Sequence, residues 1–205
     1  MRIKLEKFFE NNLGSLFGII ANIIGLTGFY LASLSIPGYN ILENMISHLG
    51  GGQGGIYANL GLIISGILAM PFYLQLEHEL KHLEEFSKIR KAAISSALTS
   101  CTFYSLVGVF PAIQSDLLIF YLHGTVSAIA LFTGVGYLLL FSFLMEKSPE
   151  YSKIQAIHGV ITAGLYTAVL FTWHPFIEWM AAFGVISWVL TNSAYILYKK
   201  RKKIR

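Results

Sequence analysis

The chain is short of charge and nearly free of cysteine. Only 13% of its 205 residues are charged, and 55% are hydrophobic. A soluble domain is roughly a quarter charged, so this scarcity excludes an ordinary water-soluble fold. The lone cysteine, Cys101, lies within an apolar run. It rules out an intrachain disulfide and a CxxC pair, and leaves the redox compartment open. No Gly-rich phosphate loop, haem-binding pattern or internal repeat is evident.

Six long apolar runs are present, at about 14–36, 55–76, 92–113, 117–145, 154–173 and 176–198. Each matches or exceeds the ~20 residues a helix needs to cross a bilayer. They predict an all-α, polytopic bundle of six transmembrane helices, a single integral membrane domain over 1–205. The first run lacks the short apolar core and small-residue cleavage site of a signal peptide, so it reads as a retained helix. Its Gly14, Gly18, Ala21 and Gly25 give small-xxx-small spacings that let helices approach closely. Pro71 predicts a kink late in the second run. Residues 77–91 are densely charged and read as a solvated helix. The third run carries Ser95, Ser96, Thr99, Ser100, Thr102 and Ser105, able to bond their own helix or a neighbour. Trp173, Trp179 and Tyr198 fall near run ends and read as interfacial anchors.

Lysine and arginine are absent from every second connection. All 15 fall in the N-terminal segment, 77–91, 146–153 and 199–205, with none in 37–54, 114–116 or 174–177. The positive-inside rule then predicts a cell-membrane protein with both termini cytoplasmic. The net charge of +4 therefore reflects topology rather than a nucleic-acid surface. The tail KKRKKIR reads as a stop-transfer flank, with docking on anionic lipid head groups as the sharper alternative. The opposite end carries Glu43, Asp116 and Glu178 with no fixed cation.

One stretch, Pro37 to Gly66, holds most of the polar detail. Pro37 and Gly38 stop the first helix. Leu42, Met45, Ile46 and Leu49 recur at helical spacing, and Asn40, Glu43, Asn44 and Ser47 repeat it on another side. That predicts a short outer amphipathic helix over Asn40–Leu49, too short to span. Five glycines between Gly50 and Gly55 follow and allow a sharp turn. Asn59 lies about one turn into the next run.

Here the chain resembles a prokaryotic membrane family known as domain of unknown function nine-nine-eight. That family shows an outer loop like W-T-E-N-A-L-S-D-L-G, then N-x-G-L-I, then G-x-F-P and a later histidine. The matching residues are Glu43, Asn44, Ser47, Leu49 and Gly50, then Asn59, Gly61 and Leu62, then Gly108, Phe110, Pro111 and His123. His48 stands where the family usually has aspartate. The resemblance spans roughly residues 14–145 and implies a six-helix bundle without an established activity. The layout also looks like the DRAM/Sfk group.

Two places carry candidate chemistry. His78, Glu79 and His82 match H-E-x-x-H, which in zinc proteases puts two ligands and a base on one helix face. Lys81 and the surrounding glutamates argue against that use, and no third ligand follows. The second place is the outer end of the bundle. His123 lies about two turns into the fourth run, and an ionisable residue at that depth needs a partner. Asp116, seven residues earlier on the same face, is the expected partner, with Glu43 the other; Ser127 is one turn later. Glu43, Asn44, Ser47, Asn59, Asp116 and His123 are the expected ligand-binding residues. His174 and Glu178 flank the last hairpin and read as interfacial.

These features favour binding or translocating a lipid or small amphiphile at an outer-leaflet polar pocket, without covalent chemistry or cofactor. Membrane lipids are the expected partners. One alternative is a zinc-dependent intramembrane hydrolase using His48, His123 or His174. Intramembrane ceramidases and adiponectin-receptor-like proteins are distant analogies for it, although the chain lacks their paired histidines on the last helix and is one span shorter. The other alternative is a structural or assembly subunit, with a homo-oligomer or a partner membrane protein.

Overall fold

The computed structural model describes residues 8–204. Residues 1–7, Arg205 and the side chains of Arg201, Lys203 and Ile204 lie outside that description, and with them much of the expected lipid-docking tail. The described chain is helical: α1 Leu13–Leu34, α2 Ile46–Gly51, α3 Gly55–Glu79, α4 Ser87–Val109, α5 Leu117–Lys147, α6 Lys153–Thr172 and α7 Pro175–Ile204. Among the described residues, six helices are long and apolar enough to cross a membrane. This is a multi-pass membrane bundle. α2 is too short to cross and packs across one end of it, against α1, α3 and α7.

The long helices close into a ring. α1 packs on α3, α3 on α4, α4 on α5, α5 on α6, α6 on α7, and α7 returns to α1 over the least extensive of these seams. The α1–α3 seam shows what the small residues do. At Gly28 an added Cβ would stand 2.5 Å from the Tyr57 carbonyl oxygen and 3.0 Å from Gly61 Cα. Only hydrogen there permits two helix backbones to meet, in a solvent where packing rather than hydrophobicity drives association. Pro71 lies inside α3, which continues unbroken past it to Glu79.

The hydroxyls of α4 bond in both expected ways. Thr99 donates to Ser95 O and Thr102 to Leu98 O, back along the helix. Ser96 and Ser100 reach across to Thr133 O and Ala130 O on α5, at 2.9 and 2.8 Å.

The solvated helix expected over 77–91 is absent. α3 stops at Glu79, a turn follows, then a single 3-10 turn over Glu84–Phe86, and α4 begins at Ser87. The charges are spent on tying helix ends together. Lys199 on α7 pairs with Glu79 at 3.0 Å and with Glu150 before α6. Arg90 donates to Leu80 O at 3.2 Å and lies 3.5 Å from Glu77. His78 stacks on Phe9 with ring centroids 4.7 Å apart, while His82 bonds Ser148 at 3.0 Å. The helix ends between these two histidines, so they do not share a face as a zinc motif requires.

The amphipathic helix expected over Asn40–Leu49 is also corrected. Residues 41–44 form turns, and helix begins only at Ile46. Side chains compete for the backbone. Asn44 Oδ1 accepts from Asn40 N at 2.9 Å, and Asn40 Oδ1 from Leu42 N at 3.0 Å. The half-buried Tyr39 hydroxyl donates to Met45 O at 2.9 Å. Burial pushes this phenol up to about 12, with Trp179 opposing and Glu178 adding to the shift. It therefore stays a donor throughout the neutral range. The apolar stripe is split accordingly: Ile46 and Leu49 are buried, while Leu42 is exposed.

Candidate cavity at the α2 end

The end of the bundle under α2 holds a partly open cavity of about 130 Å³. Its wall is mostly apolar, with Phe29, Leu62, Val107, Leu131 and Val169 among the lining residues. Its polar members are His123 and Glu178, the hydroxyls of Ser47, Ser100, Ser127, Tyr104 and Tyr166, and the Trp173 indole. A second cavity of about 80 Å³ shares Phe29, Ser100, Tyr104, Tyr166, Val185 and Ile186 with the first. Together they run from the polar end toward a buried tyrosine cluster.

α2 forms part of the cavity wall through Ile46 and Ser47, and is held at both ends. At its start, the Glu178 carboxylate on α7 accepts from Ile46 N–H at 2.6 Å. This is a backbone donor that a helix start leaves without an intrahelical partner. Trp179, the next residue, donates its indole N–H to Asn44 O at 3.1 Å. Trp179 is thus buried rather than the interfacial anchor expected, whereas Trp173 and Tyr198 are exposed. At the far end of α2, Asn59 donates to Gly50 O at 3.0 Å. A Cβ at Gly50 would stand 2.6 Å from Asn59 Oδ1, and one at Gly51 would stand 2.5 Å from Ala112 O. The glycine run therefore lets α2 seat against α3 and the 111–112 segment. Gly54, at φ +78°, makes the turn into α3.

His123 is buried, and its partner is not the one expected. Nδ1 lies 2.7 Å from the Phe110 carbonyl oxygen. A carbonyl only accepts, so Nδ1 carries the proton and Nε2 of the neutral ring is an acceptor. Asp116 is exposed and turned elsewhere: it is the N-cap of α5 and accepts from Ile119 N at 3.1 Å. The seven-residue argument fails because a cap residue has non-helical backbone, here φ −114° and ψ 98°, and does not share the helix face.

Of the six expected ligand-binding residues, the cavity gathers Ser47 and His123. Asn44 and Asn59 support α2 from outside the lining, and Glu43 and Asp116 are exposed. His48 and His174 are exposed too, away from buried His123. Among the described residues, no group of three His, Cys, Asp or Glu is placed to hold a metal ion.

The residue that sequence reasoning set aside is Glu178, read as interfacial and found in the cavity wall. The tyrosine cluster was not foreseen. Tyr73 and Tyr137 lie with hydroxyls 2.9 Å apart, and Tyr104 and Tyr166 line the adjoining space. The available signal was tyrosine in mid-run positions, where a buried hydroxyl demands a partner.

The family described as protein of unknown function (DUF998) matches residues 19–196. The chain belongs to this family. The match covers all six spanning helices in whole or large part, together with α2. No curated protein and no solved structure matches the chain. The DUF998 assignment carries no activity with it, so the reading of function rests on the cavity.

Proposed function

We propose that this DUF998 protein binds a single-chain amphiphile in the cavity beneath α2, as a carrier or receptor in the cell membrane. The carrying observation is one largely apolar, partly open space with His123 and Glu178 at its α2 end. Ligand sites commonly combine an apolar wall with a few convergent polar groups. Ionisable groups at such a depth are costly, which favours a use for them. The adjoining cavity supplies room for an apolar chain beyond the polar head.

The test is photolabelling with diazirine-bearing single-chain amphiphiles in phosphatidylcholine nanodiscs. At least one probe should attach to peptides lining the cavity. Ala182→Phe places a ring in that space and should weaken labelling roughly tenfold or more, given the ~1–3 kcal/mol of overpacking a bound chain would then meet. Labelling spread evenly over the outer surfaces of the helices, or indifferent to Ala182→Phe, would reject the reading.

We also propose that the α2 end faces away from the cytoplasm. The support is the confinement of all 15 Lys and Arg residues to the segments at the other end. Reporters fused after Glu85, Glu150 and Arg205 should read as cytoplasmic, and those after Gly51 and Ser115 as external. An external signal after Glu85 would overturn this orientation.

A further inference from the structure

We infer that the polar head of the amphiphile is a primary amine that carries no phosphate. This deepens the proposed function and rests on it.

Donors and acceptors at the polar end decide between head groups. When ionised, the Glu178 carboxylate accepts and cannot donate. One of its oxygens takes the Ile46 N–H, and the carboxylate still has acceptor sites to spare. His123 spends its one N–H on the Phe110 carbonyl, so Nε2 offers a lone pair, and no described protein group bonds it. Ser100 likewise spends its hydroxyl proton on Ala130 O. Ser47 and Ser127 can serve either way. No Lys or Arg lines the cavity. The wall therefore carries a carboxyl group with no fixed cation beside it and acceptors at His123 Nε2 and Ser100, with the Tyr104 and Tyr166 hydroxyls and the Trp173 indole N–H as its other polar groups.

A carboxylate, sulfate or phosphate head would bring a second anion to that carboxylate with no countercharge. An alcohol would supply one donor and no charge. A quaternary ammonium would supply charge and no donor. A primary ammonium supplies three donors and a positive charge, which suits an ionised Glu178 with His123 Nε2 and the serine hydroxyls of the same wall as further acceptors. The apolar wall below accepts the chain.

The experiment compares diazirine-bearing hexadecylamine, hexadecyltrimethylammonium and hexadecanoate on the wild-type protein in phosphatidylcholine nanodiscs. Hexadecylamine should label the cavity peptides at about tenfold lower concentration than the other two, the size of one charge-assisted hydrogen bond. Glu178→Gln keeps an oxygen for the Ile46 N–H while removing the charge. It should cancel that preference while hydrogen exchange over α2 stays slower than in Glu178→Ala. Phosphatidylethanolamine added to the discs should not compete. Equal labelling by the three probes, preference for hexadecanoate, or preference retained in Glu178→Gln would overturn the amine head and leave the amphiphile reading standing. Competition by phosphatidylethanolamine would overturn the exclusion of a phosphate. No cavity labelling by any probe would remove both readings.

Discussion

Replacing Glu178 with alanine is expected to release α2 from the bundle without unfolding the bundle. α2 has six residues, too few to hold a helix by themselves. Its start is fastened by the Glu178 carboxylate on Ile46 N–H at 2.6 Å. A hydrogen bond to a charged group contributes ~1.5–3 kcal/mol. The remaining contacts are the burial of Ile46 and Leu49, the Asn59 bond to Gly50 and the Trp179 bond to Asn44. Amide exchange at Ile46, Ser47 and Leu49 should quicken by roughly ten- to a hundredfold, as for a local opening. Thermal unfolding of the whole protein should shift far less, because the helix ring and the Lys199 ties at the far end are untouched. Glu178→Gln should restore part of the protection. Unchanged exchange in Glu178→Ala would mean that apolar seating alone holds α2. A collapse of the whole bundle would mean that α2 is a structural keystone rather than a cover.

The six spans were legible because their signals are local. Spanning length, the scarcity of charge and the alternation of Lys and Arg each survive in a single sequence, and the observed helices begin and end within a few residues of most expected positions. The exceptions share one cause. At Asn40–Leu49 helical periodicity and at 77–91 dense charge suggested a helix, but polar side chains found partners outside one: Asn40 and Asn44 on nearby backbone, Arg90 on Leu80 O. Periodicity records which residues would share a face if the segment were helical, and says nothing of what competes with it. The site was half legible for a related reason. His123 announced itself by depth. Glu178 did not, because three residues into α7 it looks interfacial until α2 is seen lying over it. Asp116 was the reverse case: its spacing from His123 suggested a pair, while its neighbour Ile119 offered a cap bond closer at hand.

The two jobs assigned to His123 lie on different nitrogens, so different substitutions should separate them. Nδ1–H holds the Phe110 carbonyl at 2.7 Å and thereby ties α5 to the end of α4. Nε2 is left for the cavity. Alanine removes both. It should lower stability by ~1–3 kcal/mol, the cost of a buried polar group losing its partner, and should also abolish the preference for an amine probe. Asparagine has an amide nitrogen close to where Nδ1 sits and nothing at the position of Nε2. His123→Asn should therefore recover most of the lost thermal stability in nanodiscs while leaving amine labelling as weak as in His123→Ala. Glutamine reaches further and places its amide near the Nε2 position. It should do the opposite, staying destabilised while recovering part of the labelling. If Asn restored both properties, the histidine would be a structural tie alone and the polar head would rest on Glu178. If neither Asn nor Gln altered labelling relative to wild type, His123 would have no part in binding.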